Sequence, residues 1–150
     1  PPASPLRLVG SEMCIRDSPE NVDKLVKEDG DLLVNAMLFS GAVTFTDPIK
    51  GNSGFAAEFE KQGLRDSHGR SLKDLDLQNR LLKYPMSYLI YSPSFDAMPA
   101  PVRDYVDLRF RRILSGEDKS SDFAHLTGAD RAAILGILQE TKPDFSTAAK

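Results

Sequence analysis

The stretch PVRDYVDLRFRRILS, residues 101–115, decides the fold class. Val102, Tyr105, Val106, Phe110, Ile113 and Leu114 recur at three- and four-residue spacing, which places them on one stripe of an α-helix. Arg103, Asp104, Asp107, Arg111 and Arg112 fall on the other faces. Pro101 suits the first turn, where its missing amide costs nothing, and Gly116 suits the stop. A helix with so clean a stripe must lay it against another apolar surface. Val102, Val106, Phe110 and Ile113 are therefore expected to be buried, and the rest of the chain must supply their partners.

Downstream, Thr127 with Asp130 three residues later predicts a capped helix over Thr127–Thr141, with Ile134, Leu135, Ile137 and Leu138 on its inner face. Pro143 marks its end, and the tail from Asp144 to Lys150 is small, polar and expected to fray. Upstream, Val22, Leu25, Val26, Leu33, Ala36 and Met37 keep helical spacing from Pro19 onward, with Gly41 as the stop. Gly30 weakens that helix by about 1 kcal/mol relative to alanine and is a point where it could divide in two. Val43–Thr46 is short and β-prone. Asp47-Pro48 and Gly51-Asn52-Ser53-Gly54 read as loop, and a short helix from Gly54 to Gln62 follows, with Ser53 as its cap.

Ser71-Leu72-Lys73-Asp74 has the spacing of a capping box and predicts a helix carrying Leu75, Leu77, Leu81 and Leu82, kinked at Pro85. Near Met86–Tyr91 this segment is apolar around its whole circumference. The expectation is a central buried helix over Leu77–Tyr91, covered by the two helices downstream. If one face stays exposed together with Val26, Leu33 and Met37, that patch marks a docking surface. The fold class that results is mainly α: an irregular multi-helix domain with proline-rich loops and little or no strand.

Composition narrows the function without naming it. Hydrophobic residues are 41% and charged residues 27%, enough apolar content for a packed core. The net charge of -3 offers no basic stripe for phosphates, so a nucleic-acid partner is not expected. No apolar run reaches the roughly 18 residues of a membrane span. A soluble protein follows, cytoplasmic or periplasmic. The one cysteine, Cys14, excludes a multi-cysteine zinc site.

Four groups of residues carry candidate chemistry. Arg65, Asp66, Ser67, His68 and Arg70 form the densest polar cluster, with the residue types of a nucleophile, a base and an orienting acid. Neighbouring positions rarely meet in that geometry, so a polar turn is the favoured reading and a ligand role the weaker one. Lys50, Asn52, Ser53 and Gly54 precede a helix, where backbone amides can hold an anion; an ordinary connector is favoured. Tyr84, Tyr88 and Tyr91 share a helical face and read as core before they read as a ligand wall. Arg109, Arg111 and Arg112 are diluted by Asp104 and Asp107 and read as a solvated face. His68 and His125 lie far apart in sequence, so no metal site is expected, and no motif implies a cofactor.

Two resemblances bear on origin. SPLRLVGSEMCIRDS, residues 4–18, resembles a translated sequencing adapter, which implies that residues 1–18 stand outside the fold and that residues 19–150 are the domain. GLRDSHGRSLKDLDLQNRLLKYPMSYLIYSPSFDAMPAPVRDYV, residues 63–106, is similar to the C-terminal part of uncharacterised planctomycete-like environmental bacterial proteins, as is the stretch 115–143. The similarity implies a C-terminal piece of a larger bacterial protein and carries no activity. The leading expectation is a structural or interaction module that packs on an N-terminal remainder or a protein partner. The alternative is the C-terminal domain of an enzyme or periplasmic redox protein whose active site lies upstream.

Overall fold

The computed structural model describes residues 18–51 and 54–147. The expectations for residues 1–17, and for Asn52 and Ser53, fall outside the described residues. Helix α1 spans Pro19–Met37, α2 Phe55–Lys61, α3 Pro93–Asp96, α4 Ala100–Leu114, α5 Gly128–Thr141 and α6 Pro143–Thr147. Short 3-10 turns occur at Tyr88–Tyr91 and Ser121–Phe123. Among the described residues no strand forms; the only pairing is an isolated antiparallel bridge between Leu75 and Leu82. The mainly helical, irregular architecture expected from the sequence is the one observed.

The long contact between α1 and α4 is the backbone of the fold, and α5 packs on α4 and α6. One core results. Val34 of α1, Val106, Phe110 and Ile113 of α4, and Ile134 and Leu138 of α5 are all fully buried in it. Val102 is only half-buried at its edge, because it lies in the first turn of α4. Gly30 does not divide α1. The helix runs through it, and its hydrogen side is pressed against the Tyr105 ring, where a Cβ would sit 2.5 Å from Cδ1. Gly116 ends α4 at φ +82°, a conformation that glycine adopts without steric cost.

The expected capping box of α5 is complete. The Thr127 hydroxyl accepts from the Asp130 amide at 3.0 Å, and the Asp130 carboxylate accepts from the Thr127 amide at 3.1 Å. Arg131 then ties the α4–α5 connection together. Its guanidinium donates to the carbonyls of Ile113, Asp118 (2.8 Å), Phe123 (3.1 Å) and Leu126 (3.4 Å). Through residue 147 the tail is helical: Pro143 starts α6, and Phe145 is fully buried, while the expectation for residues 148–150 falls outside the described residues. Its ring anchors what composition alone reads as a loose end.

The helix expected over Ser71–Leu82 and through Leu77–Tyr91 is not formed. Ser71 and Asp74 do close a local turn, with the Ser71 amide donating to the Asp74 carboxylate at 3.1 Å. The chain then folds back on itself, with Lys83 N donating to Asp74 O, Asp76 N to Leu81 O and Leu77 N to Arg80 O. Short acidic side chains offer the backbone an alternative to the helix ladder. A distant partner fixes the outcome: Arg80 makes a two-pronged pair with Asp130 on α5, at 2.7 and 3.0 Å. Met86 and Ile90 still reach the core, so part of the segment is central as expected. Leu81 and Leu89 instead face outward, 51% and 57% exposed. The expected patch of Val26, Leu33 and Met37 is not formed by these residues: Met37 is buried, Leu33 packs against the core and Val26 is half-buried, although Val22, Leu25 and Leu32 of the same helix are exposed. Val43–Thr46 is not a strand, and α2 starts from Gly54 without a side-chain cap.

Candidate functional site

The polar cluster at Arg65–Arg70 is a closed structural turn. The Asp66 side chain is fully buried. One of its oxygens accepts from the amides of His68 (3.0 Å) and Arg70 (2.8 Å), and the other from Arg70 Nε at 2.7 Å. Burial alone would raise this carboxyl. The Arg70 hydrogen bonds and charge, with the His68 amide, outweigh it and hold the group below its ordinary value. Arg65 is engaged separately with Asp74 at 3.1 Å. Ser67 is clamped to α5: its amide donates to Glu140 Oε2 at 2.7 Å and its hydroxyl to Oε1 at 2.8 Å.

His68 Nδ1 lies 3.3 Å from Ser67 Oγ, so the structure does bring serine and histidine together. It does not build a relay. The acid that would orient His68 is bound to Arg70, and the serine proton is directed at Glu140. Asp66, His68 and Glu140 also present ligand atoms within 4.8 Å of one another. Both carboxylates are already engaged, and the Arg70 guanidinium stands 2.6 Å from Asp66, which opposes a cation there. Glu140 lies 73 residues from Ser67, and nothing in the sequence links them.

The other candidates disperse. His125 donates from Nε2 to the Leu38 carbonyl at 2.6 Å. Arg109 bridges Asp31 (3.0 Å) and Asp118 (2.6 Å), and Arg111 lies over the Phe145 ring. Lys50 and Gly54 are exposed, and α2 is too short to add a helix field. Tyr84 and Tyr91 pack against the core, with the Tyr91 hydroxyl on Thr141 at 2.5 Å. Tyr88 does both jobs, touching the core and lining a cleft.

That cleft is the concave feature the sequence reading missed. It has a volume of about 680 Å³ and is walled by Phe55, Phe59, Leu75, Leu77 and Tyr88. A second cleft of about 250 Å³ is lined by residues 42–45 and Pro85, with Arg80 and His125, both already hydrogen-bonded, at its wall. The two share Phe39, Leu81 and Leu82, so they form one apolar trough. The segment 42–51 borders both ends and is pinned by Phe45 N to Asn79 O (2.8 Å) and Ile49 N to Leu77 O (2.7 Å). Among the described residues, Phe39 (φ +56°) and Leu77 (φ +59°) are the non-glycine residues held in the left-handed region, and both line the trough. That conformation costs roughly 1–2 kcal/mol per residue and tends to gather at functional surfaces.

No family model, curated protein or solved structure matches this chain. The choice between the turn and the trough therefore rests on their geometry. The turn is saturated by internal hydrogen bonds. The trough keeps large apolar side chains in contact with water: Phe55 is 69% exposed, beside Leu81 and Leu89.

Proposed function

We propose that this chain is an interaction module whose working surface is the apolar trough between α2 and the turn at residues 74–83. The observation that carries the reading is the exposure of Phe55, Leu81 and Leu89 around one concave apolar site, whereas other exposed apolar side chains such as Leu32 and Leu108 stand outside it. Apolar surface of this kind is retained where something apolar enters it. The module binds rather than reacts, because the one serine–histidine contact in the described residues is locked by Glu140 and Arg70. If the chain accompanies an enzymatic or redox centre elsewhere in a longer protein, the same trough is where that part would seat.

The test uses Nile red, an uncharged dye that brightens in apolar surroundings. The chain should bind it with a blue-shifted emission. Leu81→Asp, at a half-exposed position that the fold does not need, should abolish the signal while leaving the melting temperature within a few degrees. An unshifted spectrum with the parent chain, or full binding by Leu81→Asp, would sink the reading.

A further inference from the structure

The trough has a chemically distinct end. Lys73 holds its ammonium 4.9 Å from the centre of the Phe59 ring and 5.1 Å from that of Tyr88, the two rings that wall the larger cleft. It also lines a shallow depression of about 310 Å³ that adjoins the cleft through Tyr88 and Leu89. Its hydrogen-bond partner there is the Gln62 amide oxygen at 3.5 Å, a neutral and long contact. The acidic groups nearby are directed elsewhere: Glu60 to the Leu75 amide at 2.9 Å and Asp74 to Arg65 at 3.1 Å. The cleft itself carries hardly any polar lining. Ser87 and Tyr88 bring the hydroxyls in its wall, and that of Ser87 already accepts from the Leu89 amide.

Resting on the proposed binding role, we infer that the ligand is a single-chain carboxylate, with its hydrocarbon tail in the trough and its carboxylate on Lys73. A wall made mostly of apolar side chains rewards a ligand with few polar atoms along its length, since an unpaired polar group there would lose its water. A cleft of about 680 Å³ lies within the roughly 300–1,000 Å³ of small-ligand sites. The head group follows from the cation. Lys73 is one compact charge, and among the described residues no other cation lines that depression, which matches a carboxylate better than a phosphate. Cations stacked on aromatic faces stay available to an anion approaching from the open side, and the ring contacts hold the ammonium in place.

Calorimetric titration of the full chain with decanoate, 1-decanol and decyltrimethylammonium tests this. Decanoate should bind at one per chain and most tightly, and the cation most weakly. Shortening decanoate to octanoate should weaken binding by about tenfold, at roughly 0.8 kcal/mol per methylene buried. Lys73→Gln should cost decanoate about three- to tenfold and leave 1-decanol unchanged, with Lys73→Arg retaining most of the affinity. Equal binding of decanoate and decanol, indifferent to Lys73→Gln, would overturn the carboxylate assignment and leave the apolar interaction role standing. Failure of all three to bind, with Nile red also unbound, would remove both. Sedimentation with vesicles of anionic phospholipid, without binding of free decanoate, would also overturn the assignment.

Discussion

Replacing Gly30 by alanine should destabilise this protein, although in a mid-helix position the same change ordinarily stabilises. Helix propensity favours alanine by about 1 kcal/mol. Against that, the new methyl would stand 2.5 Å from Tyr105 Cδ1 and 2.9 Å from Cε1, so the ring must move. The ring is not free to do so. Its hydroxyl donates to Asp31 Oδ1 at 2.9 Å, and the same oxygen accepts from Arg109 Nε at 3.0 Å. Overpacking of this kind costs roughly 1–3 kcal/mol, and weakening a hydrogen bond to a carboxylate about 1 kcal/mol more at a partly exposed site. The net expectation is a loss of about 2 kcal/mol, or a fall in melting temperature of about 4–8 °C for a chain of this length. Urea unfolding followed by circular dichroism measures it. In a Tyr105→Ala background the clash is gone, and Gly30→Ala should then stabilise by up to about 1 kcal/mol. An unchanged or higher stability of Gly30→Ala alone would refute the close approach of α1 and α4. An equal loss in both backgrounds would show that Tyr105 is not its cause.

Arg131→Met should lower stability by about 3 kcal/mol, because four carbonyls lose one shared cationic donor. Hydrogen exchange should show the loosening first in residues 116–126, and uniform protection across that loop would count against it. Acid should unfold the protein through its paired aspartates. For Asp130, burial would raise the carboxyl, but Arg80 and the Thr127 amide hold it low. Asp118 is held low first by the Ser120 amide and then, against burial, by Arg109, and Asp66 is low as described. Their folded values lie below the unfolded one, near 3.9, so their contribution is complete above about pH 4 and is lost as pH falls through the folded values. Asp107 works in the opposite sense: burial pushes its carboxyl up, so it charges at a cost as pH rises. Denaturation curves from pH 2 to 7 should show stability falling below pH 4, and an Arg80→Met variant should lose most of the Asp130 share. Stability flat across that range would contradict these pairings.

What the sequence determined by itself is the set of elements whose signals are local and agree with one another. The Pro101–Ser115 and Thr127–Thr141 helices were legible because periodicity, cap and stop all lie within fifteen or so residues. The buried positions Val106, Phe110, Ile134 and Leu138 follow from the same stripes. The cluster at Arg65–Arg70 was legible as a polar turn for a similar reason: Asp66 makes its bonds to residues two and four positions on. Tertiary structure decided the segment 71–91. There the Ser71–Asp74 signal favours a helix start, but the leucines can be buried in more than one register. The pairing of Arg80 with Asp130, fifty residues away, selects the folded-back turn. The same choice leaves Leu81 facing outward beside Phe39 and the half-buried Leu77, which creates the trough, and no local pattern encodes that concavity. Lys73 illustrates the limit most directly. In the chain it is one more lysine two residues after a serine, and it becomes a cation at the edge of an apolar cleft only because α2 brings Phe59 beneath it. Local hydrogen bonding and periodicity are properties of neighbours along the chain, whereas the surroundings of a side chain depend on which distant surfaces find each other.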